Sequence, residues 1–169
     1  MGGVSAPRAR FRWDREQGFT IIELLVTVVI VSVLAGAALP MAELVNRRNK
    51  EQDLRRNLMS IREALDAYKR AYDEGRIAPV PGDSGYPPAL ATLVNGVQDA
   101  KNPTGAKLYF LRRLPRDPFA PDLQVPSEAT WGRRSYDSSA SEPKEGRDVY
   151  DVYSLAPGNG LNGIPYREW

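Results

Sequence analysis

The sequence predicts an α+β protein: one long N-terminal helix, first wholly apolar and then amphipathic, packed on a small antiparallel C-terminal β-sheet. Three observations predict it. Residues 24–42 carry no charge. Leu54, Leu58, Ile61, Leu65, Tyr68 and Tyr72 then recur at alternating steps of four and three, which is one face of a helix. Last, VYDVYSL (residues 149–155), behind the polar loop SSASEPKEG, has the β-branched and aromatic content of a strand.

The N-terminus comes first. Residues 1–18 are polar, with Arg8, Arg10, Arg12 and Arg15 outweighing Asp14 and Glu16. The apolar run beginning at Phe19 follows. As a helix, residues 24–42 would span roughly 28 Å at about 1.5 Å per residue, close to the ~30 Å of a bilayer's hydrocarbon. The basic flank should stay cytoplasmic, which places everything after Ala42 on the far side. Glu23 is the anomaly, because a carboxylate near hydrocarbon costs a few kcal/mol unless it is paired or protonated. A cut between Gly18 and Phe19 would expose an α-amine one turn from Glu23, and that amine could neutralise the Glu23 of a neighbouring copy. Two other readings stand beside this one. Ala35-Gly36-Ala37 has the small-x-small form of an ordinary secretory cleavage site, and the run could also be an uncleaved anchor.

The helix should continue past the apolar run to Glu74, about 56 residues and on the order of 84 Å, with Gly75 as its stop. Arg47, Arg48, Lys50, Glu51, Asp53, Arg55 and Arg56 form its charged face, read either as solvated or as bridging to other subunits. Pro40 cannot donate a hydrogen bond and crowds the carbonyl of Gly36, so the Gly36–Pro40 turn is the weak point: a kink, or a segment that unwinds.

Residues 76–106 are rich in Pro and Gly. Within them PPALATLVNG reads as a short helix opened by proline and closed by glycine, and the rest as loop. YFLRRLPRDPFAPD follows, then an extended stretch around Arg134–Ser138, the strand at 149–155 and the turn-rich tail APGNGLNGIPYREW. Tyr68, Tyr72, Leu90, Leu93, Tyr136, Val149, Tyr153 and Leu155 are the expected core.

Composition removes several functions. With 23 basic and 21 acidic residues, the net charge of +2 gives no electrostatic case for nucleic acid. Without Cys or His there is no thiol nucleophile, imidazole base, disulfide, or zinc or haem site using those ligands. Asp117, Asp122, Asp137, Glu142, Glu145, Asp148 and Asp151 stand at no spacing that pairs them with a nucleophile, so no enzyme is expected, and Asp117 reads as a turn residue.

The segment G-FTIIELLVTVVIVSVLAGAALP resembles the signal of type IV pilins and type II secretion pseudopilins. YPPALATLV, RRLPRDPF and YDVYSLAPG extend the resemblance to the major pseudopilin of type II secretion over nearly the whole chain. It implies a pilin-like fold and a prepilin peptidase that cuts between Gly18 and Phe19 and N-methylates Phe19. It also implies an assembly role for Glu23 and Pro40. The implied division is a leader at 1–18, a transmembrane and polymerisation helix at 19–42, its amphipathic continuation at 43–75, and a periplasmic α+β domain at 76–169. The implied product is a homo-oligomeric periplasmic filament. Its implied partners are minor pseudopilins, an inner-membrane assembly platform with an ATPase, and an outer-membrane secretin. A type IV pilus subunit for adhesion, motility or DNA uptake is the alternative. A minor tip subunit is a third reading, against which Glu23 argues. The family's tail usually carries aspartates that bind calcium. Here Gly158, Asn159, Asn162 and Gly163 occupy that region, so Asn159 and Asn162 are weak calcium candidates and no cofactor is expected.

Overall fold

The computed structural model describes residues 18–102 and 104–169, apart from the side chains of Ala37 and Leu39. Of the expected leader, only Gly18 falls within them. Two compact units part between Glu43 and Leu44, and helix α1 is assigned from Ile21 to Asp73.

In the first unit the start of α1 follows from Thr20-Ile21-Ile22-Glu23, a capping-box sequence. The Glu23 amide donates to Thr20 Oγ1 at 3.3 Å, and the Leu24 amide closes the first turn on the Thr20 carbonyl at 3.1 Å. Large apolar side chains cover this stretch and are exposed, Ile21 at 81% and Leu34 at 65% among them. Its hydroxyls are satisfied within the helix: Thr27 donates to the Leu24 carbonyl at 2.8 Å and Ser32 to the Val28 carbonyl at 2.7 Å. Apolar side chains outside and no free hydroxyl is what a lipid-facing helix requires. The helix is long and apolar enough to cross a membrane.

In the second unit, α1 buries Leu54, Leu58, Ile61, Ala64, Leu65, Tyr68 and Ala71, so the predicted stripe faces the core. The stop also lies where Gly75 places it. Gly75 takes φ +69°, its amide bonds the Tyr72 carbonyl at 2.9 Å, and the Arg76 amide bonds the Ala71 carbonyl at 2.9 Å. That pair of bonds is a Schellman motif, which needs the left-handed residue. Opposite the stripe lie Ile77, Leu90 and Leu93 of α2 (Leu90–Asn95), Trp131, Val149, Val152 and Tyr166. Helix α2 is closed by Gly96 as expected but opens at Ala89, with no side-chain cap, rather than at the prolines.

Among the described residues four short strands form two antiparallel pairs. Strand β1 (Val97–Gln98), in a stretch read as loop, pairs with β2 (Lys107–Leu108). Strand β3 (Trp131–Arg134) pairs with β4 (Asp151–Ser154), in the register Trp131↔Ser154 and Arg134↔Asp151. The extended stretch expected at Arg134–Ser138 therefore lies earlier. The chain leaves the ladder at Ser135 because the Asp148 carboxylate takes the Ser135 hydroxyl and the Tyr136 amide, each at 2.9 Å.

Three expected core residues are misplaced. Tyr136 and Leu155 are 56% and 57% exposed, and Tyr153 is only partly buried. On β4 the inward positions are Val152 and Ser154, both fully buried, one residue out of step with the expected set.

Candidate processing and assembly site

Gly18 and Phe19 precede the cap of α1, and both are exposed, Phe19 at 78%. Among the described residues a Cβ built on Gly18 meets nothing within 4 Å, so their packing makes no demand for glycine there. Glu23 lies in the first turn of α1, where the helix dipole favours an acid. Among the described residues its carboxylate has no hydrogen-bond or ion-pair partner. Pro40 lies inside the assigned helix. Among the described residues a Cβ at Gly36 also meets nothing within 4 Å. The Thr20 cap is the signal that sequence reading missed here, and T-x-x-E before an apolar run would have found it.

The charged face of α1 in the second unit departs from expectation. Glu51 is buried, 5% exposed, rather than on the solvated face. Its Oε1 accepts the Leu161 amide at 2.8 Å and the Tyr166 hydroxyl at 2.9 Å. Arg47 Nε lies 3.5 Å from the same oxygen and donates to Tyr166 Oη at 3.3 Å, and its Nη2 donates to the Asn159 carbonyl. Arg55 lies over the Trp169 ring at 4.3 Å. Arg62 donates to Asp151 at 2.8 Å, to the Trp169 carbonyl at 2.7 Å and to the Val152 carbonyl at 3.2 Å. Burial pushes the Tyr166 hydroxyl above its ordinary pKa, Glu51 adds to the rise and Arg47 opposes it. Arg47, Glu51, Arg55 and Arg62 thus hold the tail from α1, at steps of four, four and seven that keep them on one face.

RRLPRDPF is a knot of hydrogen bonds around the buried Asp117. The Asp117 carboxylate accepts the Phe119 amide at 2.8 Å, the turn expected of it, but it is also only 2% exposed and accepts the Ser154 hydroxyl at 2.6 Å. Trp131 Nε1 donates to the Pro115 carbonyl at 2.9 Å and Asn57 of α1 donates to the Arg116 carbonyl at 2.9 Å. Arg116 itself donates to the carbonyls of Asp122 and Val125. The motif fastens α1, β3 and β4 to one another.

Asn162 Oδ1 accepts the Ile164 amide at 3.1 Å, and the Asn159 carbonyl is engaged by a guanidinium. A second cation beside Arg47 would be repelled, and a cation wanting about six to eight oxygens finds no carboxylate to supply them from the turn itself. Among the described residues no group of three or more His, Cys, Asp or Glu side chains converges.

The N-terminal segment and the domain that follows it define the class: a membrane-anchored, pilin-like filament subunit. Residues 13–39 match the prokaryotic N-terminal methylation motif. Over 155 residues the chain is 30% identical to the type II secretion system core protein G of Klebsiella pneumoniae, covering 90% of this chain and 89% of that one. It is 30% identical to the Pseudomonas aeruginosa core protein G over 145 residues, 82% and 92% of the two chains. It is 29% identical to that of Klebsiella michiganensis over 143, 81% and 92%. No solved structure matches the chain. The chain belongs to the type II secretion core protein G family, the major pseudopilins, and is a structural subunit of a pseudopilus.

Proposed function

We propose that this subunit is cut between Gly18 and Phe19 by a prepilin peptidase and N-methylated on Phe19. It is then held in the inner membrane by residues 19–42, with its C-terminal domain in the periplasm. From there it polymerises through the helix into a filament that moves folded proteins towards an outer-membrane secretin. Minor pseudopilins, an inner-membrane platform and its ATPase are the machinery it would work with.

The observation that carries this reading is Glu23: an acid without a partner among the described residues, on an exposed apolar helix. An α-amine at Phe19 of a neighbouring copy would supply the missing charge. Pairing both charges at one depth favours one stagger between subunits over others. Gly18 supports the same reading, because nothing among the described residues requires it and the peptidase's own site would.

The test is co-expression with a prepilin peptidase, followed by intact-mass analysis. The expected product begins at Phe19 and is one methyl group heavier than the bare peptide. Gly18→Ala should leave the leader attached. A product beginning after Ala37, or an uncut chain beside active peptidase, refutes the reading. Glu23→Ala should still be cut but should fail to assemble.

A further inference from the structure

The family that the sequence resembles usually carries calcium-binding aspartates in its C-terminal turn, and here Asn159 and Asn162 stand in that region. We propose that a charge latch built into the chain, Arg47 and Glu51 of α1 closed on residues 159–169, does the work of the cation, so that this tail stays folded without calcium.

A structural cation does two things for a loop. It gives carbonyl oxygens of separate turns a common positive partner, and it draws in acids from several segments. Here those duties are divided between protein groups. Arg47 brings the positive charge to the Asn159 carbonyl, and Arg62 brings another to the Trp169 carbonyl at 2.7 Å. Glu51 is the buried acid, and its single Oε1 gathers the Leu161 amide and the Tyr166 hydroxyl from two turns of the tail.

The tail's own packing closes around this centre. Tyr166 lies against Phe119 at 4.5 Å and Trp169 at 5.2 Å between ring centroids. Trp169 Nε1 donates to the Ile164 carbonyl at 3.2 Å, and a Cβ on Gly160 would collide with the Trp169 ring. The tail therefore closes on an acid and two cations of α1 and on its own aromatic stack, and the Asn159 carbonyl and the Asn162 side chain are already engaged. An arriving calcium ion would have to displace Arg47 to gain one carbonyl.

The test uses the full chain in detergent micelles, read by amide hydrogen exchange of peptides covering 158–169 and by the melting temperature. In chelator and in millimolar calcium, both readouts should be the same. Glu51→Ala should speed exchange in the tail by about 10- to 100-fold while β4 stays protected, as expected when a local opening loses a buried hydrogen-bond centre. Tyr166→Phe removes one hydroxyl and keeps the ring, and should speed it by roughly 3- to 10-fold. Should Glu51→Ala fail to fold, Tyr166→Phe alone decides. Tail exchange slowed tenfold or more by calcium overturns the proposal, as does a rise of several degrees in melting temperature with calcium. Tail exchange unchanged in the variants overturns it equally.

Discussion

Ser154→Ala is a small change that should have a large effect. Ser154 is fully buried and Asp117 is 2% exposed. The serine hydroxyl donates to Asp117 Oδ2 at 2.6 Å and accepts the Ala156 amide at 3.0 Å. Removing one oxygen creates almost no cavity, so packing loss is minor. What remains is a buried carboxylate oxygen without its donor, worth about 1.5–3 kcal/mol, and an amide without its acceptor, worth ~1 kcal/mol. The sum is about 2–4 kcal/mol.

For the 126 residues of Leu44–Trp169, an unfolding entropy of about 2.1 cal/mol/K per residue converts 1 kcal/mol into ~4 °C. The variant should therefore melt about 8–15 °C lower. The assay is tryptophan fluorescence of the full chain in micelles, because Trp131 is 2% exposed and reports the domain core. The apolar half of α1, which detergent keeps helical, contains no tryptophan to mask the transition. A double-mutant cycle with Asp117→Ala should show coupling of 1 kcal/mol or more. If Ser154→Ala melts within about 1 °C of the parent, the 117–154 bond is not holding the sheet to the RDP turn.

Two further outcomes follow from the same domain. Asp99 is held below its ordinary pKa by the hydrogen bond from Arg76, with Nη2 to Oδ2 at 2.6 Å, assisted by the Lys101 amide. For Asp148, burial by itself would raise the pKa. Hydrogen bonds from Ser84, the Tyr136 amide and Ser135, with Arg147 nearby, outweigh burial and lower it. A carboxyl lowered on folding contributes stability above the unfolded value of about 3.9 and loses it as pH falls through the folded value. The melting temperature should therefore hold from pH 7 to roughly 4.5 and drop below ~4. Asp99→Asn and Asp148→Asn should each flatten that drop, and an unchanged slope in both would count against these assignments. Separately, Gly132→Ala should destabilise by about 1–3 kcal/mol, because its Cβ would land in the Tyr153 ring. Tyr153→Ala in the same chain should recover part of that loss in a melting curve.

What was legible in the sequence was local. The apolar run, the stripe from Leu54 to Tyr72, the Gly75 stop and the Gly96 closure each rest on residues a few positions apart, and helix periodicity reads them directly. The tail contacts were not legible. Arg47 and Asn159 are 112 positions apart, and Glu51 and Tyr166 are 115 apart. A charged residue on a helix reads as solvated unless something else is known to cover it. One hint was available, since Arg47, Glu51, Arg55 and Arg62 share a face. Asp117 was legible as a turn residue, but its second bond to Ser154 joins segments 37 positions apart.

The phase of β4 failed for a different reason, and the structure supplies the rule that would have fixed it. Both phases of VYDVYSL contain apolar residues, so alternation cannot choose between them. The partner strand WGRR decides. Trp131 pairs with Ser154 and Arg133 with Val152, which puts the indole on the inner face. Gly132 pairs with Tyr153 and Arg134 with Asp151 on the outer face. On that outer face the Tyr153 ring covers the side-chain-less glycine, as cross-strand aromatics do over strand glycines, and Arg134 lies 3.4 Å from Asp151. A tyrosine opposite a glycine, beside an ion pair, thus belongs outside, and a serine opposite a tryptophan belongs inside when a buried carboxylate waits for its hydroxyl. The inward position of Ser154 therefore depends on Asp117, so the loop that carries Asp117 helps set which face of β4 turns towards α1.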